Sequence, residues 1–295
     1  MSTHKPPGRF VAEGGLALVA LLWGATFVLV KDALNDVSTV LFLAIRFTAA
    51  TVALGLVTRP KIGPWKGGIF TGMLLFTGYL LQTLGLRWTT AAKSGFITGL
   101  YIVLVPLVSA VVYKKAPHWA ELAGVILATV GLGLLSFAGT SLQMGIGDLL
   151  TIGCAVAYAV HIVVLGHYSR RMDHSWLALL QLGTCGVIGL STFWWVEPSY
   201  VKWSGRVWLA LAVTSLLATA LAFAIQTWAQ RHTSATRAAI IFSLEPVFAW
   251  VTAFLVAGEV LTGRSVVGAF LILAGILLVE LKPARLGEHH NVQSA

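Results

Sequence analysis

Long apolar stretches limit what this chain can fold into more than any other feature of its sequence. Ten of them follow one another, and most approach the roughly 20 residues that a helix needs to cross about 30 Å of hydrocarbon. They cover residues 16–30, 37–57, 67–86, 95–112, 119–138, 149–166, 175–196, 207–229, 238–257 and 265–281. The pattern predicts an all-α polytopic membrane protein with ten transmembrane helices.

The overall composition supports this interpretation. Of the 295 residues, 57% are hydrophobic and 11% are charged, whereas roughly a quarter of the residues of a soluble domain are charged. Ten helices of roughly 20 residues use about 200 residues, which leaves short loops and no soluble domain. The first apolar stretch is followed by "KDALND" and not by a small-residue cleavage site, so we expect no cleavable signal peptide.

The formal charge of +9 is better explained by membrane orientation than by nucleic acid, because the basic residues are scattered over many short loops. When loops are assigned alternately to two sides, one side holds thirteen Lys and Arg and the other holds six. The positive-inside rule then places both termini in the cytoplasm and the chain in the inner membrane. Cys154 and Cys185 fall inside predicted helices and are expected to be small buried residues, without a disulfide or a metal.

One phrase of the sequence occurs twice. "YLLQTLGLRWTTAAKSGF", residues 79–96, has a relative in "FAIQTWAQRHTSATRAAI", residues 223–240. An offset of 144 holds from helix 3 to helix 5, whereas helices 1 and 2 match weakly at about 135. The aligned pairs include Gln82 with Gln226, Thr83 with Thr227, Arg87 with Arg231, Trp23 with Tyr158, and Arg46 with Gln181.

A repeat of five helices has a geometric consequence. Since five crossings are an odd number, the second copy enters the membrane from the opposite side. We therefore expect residues 1–140 and 141–295 to form two inverted five-helix repeats around a central cavity, as in alternating-access transporters. The loop with Arg87 should then lie outside, and the loop with Arg231 inside. The alternative is a duplicated scaffold that transports nothing.

Polar side chains within the apolar stretches mark the candidate site, because such groups are costly in hydrocarbon. Tyr79 and Gln82 share one helix face, as do Phe223 and Gln226 in the second copy. An amide suits the carboxylate and ammonium of an amino acid, and an aromatic ring offers a stacking wall. The alternative is that each glutamine only bonds a neighbouring helix.

Other helices extend the same set. Helix 4 presents Thr98 and Tyr101 on one face, and the offset maps this face onto Phe242 and Glu245. Helices 1 and 6 add aromatic residues and a histidine, although any single aromatic ring could instead face lipid. The predicted substrate-binding residues are Trp23, Tyr79, Gln82, Thr98, Tyr101, Tyr158, His161, Phe223, Gln226, Phe242 and Glu245.

Some intramembrane residues allow two interpretations. Glu245 and His161 could each accept a proton during transport, or could only make a structural hydrogen bond. Pro106 and Pro246 are expected to interrupt helices 4 and 9, either as gating kinks or as static bends. Arg46 is expected to snorkel or to pair within the bundle in a structural role.

Small residues in helices 5 and 10 permit close helix approach. Gly124 and Gly131 lie in helix 5, and Gly268 and Gly275 lie in helix 10. They are either scaffold contacts or dimer contacts, so a monomer is expected and a dimer stays open.

Three longer phrases carry a family resemblance. "WGATFVLVK" in helix 1, "YLLQTLGLRWTTAAKSGFITGLYIVLVPL" across helices 3 and 4, and "TSATRAAIIFSLEPVFAWVTAFLVAGEVL" around helix 9 resemble the drug/metabolite transporter superfamily, EamA type. The overall pattern is also similar to that of YddG-type exporters of aromatic amino acids. The resemblance implies a secondary transporter, and the Glu-Pro pair at Glu245 resembles a family motif in helix 9.

The expected function is therefore export of small amphipathic metabolites, amino acids among them, and drugs, purines or other metabolites are the alternative cargo. The expected partners are this solute and membrane lipid, with no nucleic acid and no cofactor. No GxxxxGK[ST] or HExxH motif occurs, and the four aspartates lie near helix ends, which argues against ATP hydrolysis and metal catalysis. An intramembrane lipid enzyme and a channel fit less well, because no nucleophile–base pair or charged ring is evident.

Overall fold

The computed structural model describes residues 8–89, 91–114, 116–136, 144–257 and 263–280. Within these ranges it forms helices joined by short loops, and the extended structure described there is a single bridge between Val37 and Val201. We number the helices α1 (Arg9–Ala33), α2 (Thr39–Val57), α3 (Lys66–Gly85), α4 (Ala91–Gly99 and Tyr101–Tyr113), α5 (Trp119–Ser136), α6 (Ile146–Ser169), α7 (His174–Val196), α8 (Gly205–Ala229), α9 (Ala235–Phe242 and Leu244–Ala257) and α10 (Gly263–Glu280).

The helix count agrees with the ten apolar stretches. Among the described residues, seven helices are long and apolar enough to cross a membrane, counting α4 from Ser94 to Tyr113. The other three rods are α5 and α10, which contain the shorter apolar segments Trp119–Leu134 and Gly263–Val279, and the broken α9. The chain is an all-α polytopic membrane protein, as its hydropathy predicts.

Helices α4 and α9 are each broken near the middle. In α4 the break is at Leu100, where Val103 N donates to Leu100 O at 3.0 Å, as in a tightened turn. Pro106 lies inside the continuous segment Tyr101–Tyr113, so the break predicted at this proline occurs six residues earlier. In α9 the break is at Ser243, and Pro246 occupies the first turn of the following segment, where its missing N–H has no intrahelical partner to lose.

The packing partners correspond between the two groups of five helices. α3 packs against α6 and α7, and the counterpart contacts of α8 with α1 and α2 are also present. α4 packs against α6, as α9 packs against α1. The contacts of α2 with α7 and of α5 with α10 each join a helix to its own counterpart. Replacing each helix by the one five places along therefore reproduces the main contacts.

Glycines allow α5 and α10 to approach closely, as their spacing predicts. A Cβ atom added at Gly131 would lie 2.5 Å from the carbonyl oxygen of Gly268, and one at Gly124 would lie 2.9 Å from that of Gly275. These glycines therefore make an intrachain scaffold contact between the two helices. Elsewhere in the core, Cys154 and Cys185 are buried, as predicted.

Candidate functional site

A cavity lies among seven of the helices. About 860 Å³ of empty space lies within it when its open mouth is included. The helices that contribute are α1, α2, α3, α4, α6, α8 and α9. Its lining residues are Trp23, Thr26, Val30, Leu43, Arg46, Leu75, Tyr79, Gln82, Thr83, Leu86, Thr98, Tyr101, Tyr158, His161, Ile162, Phe223, Gln226, Phe242 and Glu245.

All eleven predicted substrate-binding residues line this cavity. The sequence brought together α1, α3, α4, α6, α8 and α9, and the structure adds α2 through Leu43 and Arg46. Pro106 and Pro246 are not in the lining. The substrate-binding role of the eleven residues stays a prediction.

Aromatic rings form a continuous wall of the cavity. Tyr79 packs edge-on against Tyr158, with ring centroids 5.7 Å apart, and lies 6.3 Å from Phe223. Trp23 continues the wall, because its ring lies 5.5 Å from Phe223 and 5.1 Å from Phe242. The wall runs from α3 to the break in α9, so it offers an apolar, stackable surface to a solute.

Gln82 is held by its neighbours on two other helices. Its Nε2 donates to Thr98 Oγ1 at 3.3 Å, and its Oε1 accepts from Tyr158 OH at 3.4 Å. This glutamine therefore bonds neighbouring helices and also lines the cavity, and its role toward a solute stays a prediction. The bonds between these three side chains fix the orientation of the amide.

Gln226, the counterpart of Gln82, has an acceptor without a partner. Gln230 Nε2 donates to the carbonyl of Ile162 at 3.1 Å, so Gln230 presents its oxygen to Gln226, whose Nε2 donates to it at 3.2 Å. This arrangement leaves Gln226 Oε1 buried with no hydrogen-bond partner. An unsatisfied buried acceptor is costly, and this one belongs to a cavity residue.

His161 belongs to a hydrogen-bonded chain that fixes its tautomer. Thr227 Oγ1 donates to the carbonyl of Phe223 at 2.6 Å, so it accepts from Gln181 Nε2, at 3.0 Å. Gln181 Oε1 then faces His161 Nε2 at 3.0 Å, so this ring nitrogen carries a proton. The contact supports the structural interpretation of His161.

Arg46 is held against an irregular segment of α8. Residues Leu216–Leu221 form a π-helix, and side chains bind its groups directly. Arg46 Nε donates to Thr219 Oγ1 at 2.7 Å, and its Nη2 donates to Ala218 O and Tyr79 OH, both at 3.4 Å. Pairing with a carbonyl confirms the expectation for this residue. Its place in the cavity lining was missed by the sequence, and the π-helix has no recognised sequence signal.

Glu245 begins the second segment of α9, just after the break. The carboxyl is partly buried, and neither a hydrogen bond nor an ion pair is described for it. α1 approaches closely here, since a Cβ atom at Gly24 would lie 2.4 Å from the carbonyl oxygen of Glu245. The side chain thus brings a carboxyl group to the cavity at a position fixed by helix packing.

Acidic residues tie together both ends of the bundle. At one end Glu13 Oε1 accepts from Thr233 Oγ1 at 3.2 Å and contacts Arg237 Nη1 at 3.4 Å. At the other end Asp148 Oδ1 accepts from Thr89 Oγ1 at 2.7 Å. Thr89 and Thr233 correspond at the offset of 144, and Glu13 and Asp148 correspond at 135. Glu13 was not predicted to lie in a helix end, because α1 begins at Arg9 and not near residue 16.

The two ends of the cavity differ, although the sequence repeats. Val30 and Leu86 line the cavity at the end where α1 and α3 finish. Their counterparts, Leu165 at offset 135 and Gln230 at offset 144, are fully buried and outside the lining. The cavity therefore extends toward the α1–α2 loop and is closed toward the α8–α9 loop.

The described residues contain no cluster of three or more His, Cys, Asp or Glu that could hold a metal ion. The chemistry that the cavity offers is thus stacking, hydrogen bonding and two charged groups. These are means of binding a solute.

The chain is similar to known transporter proteins over most of its length. The model of the EamA-like transporter family matches residues 12–137 and again residues 145–281. An uncharacterised transporter of Archaeoglobus fulgidus is 38% identical over 277 residues, which are 93% of this chain and 87% of that protein. Proteins named probable amino-acid metabolite efflux pump from Salmonella typhimurium and Escherichia coli are 27% and 26% identical, over 90% of this chain and 94% of each.

A solved structure shares the fold. It is titled only "Crystal structure of protein", superposes with a TM-score of 0.78 at 21% identity, and covers 90% of this chain and 95% of its own. The two family matches, which cover most of the sequence, and the relative at 38% identity show that the chain belongs to the EamA-like transporter family and is a polytopic membrane transporter.

Proposed function

We propose that this transporter exports small amphipathic metabolites, including amino acids with apolar or aromatic side chains, across the inner membrane. The observation that carries the proposal is the cavity, which combines an aromatic wall with a small number of polar and charged groups in the middle of the bundle. Such a lining suits an organic solute better than an ion, which would need rings of like charge or of carbonyls. The names of two relatives as amino-acid metabolite efflux pumps support the same class of cargo.

We also propose that transport proceeds by alternating access between two inverted repeats, residues 1–140 and 141–295. The correspondence of helix contacts under exchange of the halves supports this arrangement. The corresponding acid–threonine pairs at the two ends support it as well, since each pair joins one repeat to the other. The excess of Lys and Arg on one side favours cytoplasmic termini.

The cavity is open toward the outside in this arrangement. Val30 and Leu86, on the side that the charge distribution assigns to the exterior, line it, while their cytoplasmic counterparts are fully packed. The contacts of Glu13 with Thr233 and Arg237 lie at this closed end. An inverted repeat predicts the converse state, with the packing of the two ends exchanged.

Counterflow tests the proposed function. The purified chain in liposomes preloaded with unlabelled L-phenylalanine should accumulate external labelled L-phenylalanine, with saturation and stimulation by the internal solute. L-Leucine, purines and organic cations form the comparison panel. Exchange of purines or organic cations without exchange of either amino acid would contradict the proposed amino-acid cargo. Ohmic conductance or chemical conversion of the solute would refute a carrier.

Two variants on one helix connect this assay to the cavity. Gln82→Ala removes hydrogen bonds to two lining helices and should lower exchange, because buried polar contacts are worth about 1 kcal/mol or more each. Thr77→Ala is the matched control, since Thr77 lies exposed on the same helix and bonds only to the carbonyl of Met73. Equal exchange by both variants would remove Gln82 from the site.

A further inference from the structure

A basic and an acidic side chain face the same cavity without pairing with each other. Arg46 comes from α2 and Glu245 from α9, and no ion pair between them is present among the described residues. Ionised groups within a membrane are expensive and are normally paired. A zwitterionic ligand would supply an opposite charge to each of the two side chains.

Arg46 keeps donors available for a negative group. Its Nε and Nη2 are engaged by Thr219, Ala218 and Tyr79, and no hydrogen bond is described for Nη1. The Tyr79 ring lies under the guanidinium, 5.0 Å from its centre, which holds the group in place. The two contacts of Nη2 are long, at 3.4 Å. The planar guanidinium is suited to a carboxylate.

Glu245 and Gln226 offer acceptors to a positive group. Glu245 has no described partner, and Gln226 is 1% exposed with its Oε1 unsatisfied. The bonds of Gln230 fix that oxygen as the free end of the amide. A ligand with several N–H donors would satisfy both residues, and an ammonium group has three such donors.

The aromatic wall lies between the two charges. Arg46 contacts Tyr79, whose ring neighbours Phe223, and Trp23 connects Phe223 to Phe242. Glu245 follows Phe242 by three residues, across the break in α9. The row of rings thus connects a basic side chain, beside Tyr79, with the segment of α9 that carries Glu245.

We propose that Arg46 and Glu245 select zwitterionic α-amino acids. Arg46 binds the α-carboxylate, Glu245 and Gln226 Oε1 bind the α-ammonium, and the apolar side chain lies against the aromatic wall. The proposal rests on the proposed function, because it names the substrate class of the same cavity. A solute with only one charge leaves either Arg46 or Glu245 unpaired, so it binds more weakly.

Competition against counterflow of labelled L-phenylalanine tests the pair. Phenethylamine lacks the carboxylate, and 3-phenylpropionate lacks the ammonium, while both keep the ring. Each should compete about 10- to 100-fold more weakly than L-phenylalanine, the range for a lost hydrogen bond to a charged group. In Arg46→Gln, phenethylamine should compete as well as L-phenylalanine, while 3-phenylpropionate stays weaker. In Glu245→Gln, 3-phenylpropionate should compete as well as L-phenylalanine, while phenethylamine stays weaker.

Two further variants serve as controls. Arg46→Lys keeps the charge if Arg46→Gln fails to fold, and should keep most of the preference over phenethylamine. Arg59→Gln removes a charge from an exposed loop position and should change neither preference. Folding is checked by gel filtration and by helical circular dichroism in detergent.

Three outcomes overturn the pair. If wild type exchanges L-phenylalanine but both analogues compete as well as L-phenylalanine does, the proposed export function stands and the zwitterion selection fails. If Arg46→Gln and Glu245→Gln weaken all three compounds equally, the two residues are structural and the selection again fails. If the protein exchanges purines or organic cations but no amino acid, both the selection and the proposed amino-acid cargo fail.

Discussion

Replacing Glu13 by glutamine removes a charge from the closed end of the cavity and tests whether that end opens during transport. The Glu13 side chain is 7% exposed and contacts Arg237, itself 12% exposed, at 3.4 Å. It also accepts from Thr233 at 3.2 Å and pairs with the more exposed Arg9. Glutamine keeps an oxygen for Thr233, so the change acts mainly on the two ionic contacts.

The size of the effect follows from the burial of these contacts. The pair with Arg9 is 30% exposed on the arginine side, and such a pair contributes about 0 to 1 kcal/mol. The buried contact with Arg237 is worth about 1 to 2 kcal/mol more as a charged bond than as a neutral one. Losing about 1 to 3 kcal/mol from the closed state shifts the balance toward an inward-open state by about 5- to 150-fold.

Cysteine labelling reads this balance at two corresponding positions. Val30→Cys reports the mouth that is open in the structure, and Leu165→Cys reports its packed counterpart. Both native cysteines are buried and are replaced by alanine beforehand. Glu13→Gln should raise the labelling rate of Leu165→Cys several-fold and lower that of Val30→Cys.

The opposite mouth provides the matched experiment. Asp148→Asn changes the corresponding contact with Thr89, which is made at the end that is already open, so Leu165→Cys should label no faster than before. If Glu13→Gln leaves both labelling rates unchanged in folded protein, the contacts of Glu13 do not hold the closed end. If both variants accelerate both sites equally, they loosen the fold and do not shift a balance between two states.

Two further predictions concern the scaffold and its orientation. Gly124→Ala places a methyl group against Gly275 O and should lower the free energy of unfolding by about 1 to 3 kcal/mol through overpacking. The measurement is a lower Tm in detergent. Gly63→Ala is the control, because its methyl group meets no atom within 4 Å and should not lower the Tm. In intact cells an impermeant thiol reagent should label Lys202→Cys and spare Lys61→Cys, both of which are exposed loop positions; the reverse pattern would invert the proposed topology.

The sequence predicted the cavity residues because polar groups are rare in its apolar stretches. Gln82 and Gln226 are conspicuous for this reason, and their recurrence at one offset gave each helix face a second, independent indication. The geometry of a helix then placed Thr98, Tyr101 and their counterparts on the same face. Composition and spacing were sufficient to predict these lining residues, because a polar side chain that faces the hydrocarbon of a bilayer is costly and so tends to face the interior of the bundle.

Three features depended on contacts between distant residues and were missed. Arg46 reaches the cavity because Thr219 and Ala218, more than 170 positions away, hold its guanidinium. The π-helix that supplies these partners has an ordinary apolar sequence, "LLATAL". Glu13 precedes the first apolar stretch, and only its contacts with Thr233 and Arg237 make it part of a buried helix end.

The helix breaks follow the repeat and not the prolines. Pro106 and Pro246 differ by 140 positions and are four residues out of register, whereas the breaks at Leu100 and Ser243 differ by 143 and are one residue out of register. Proline therefore does not determine where α4 is interrupted. Each break falls between two cavity residues, Thr98 and Tyr101 in α4, and Phe242 and Glu245 in α9. The duplicated feature is therefore the interruption of a helix where it lines the cavity, and the position of the nearby proline differs between the copies.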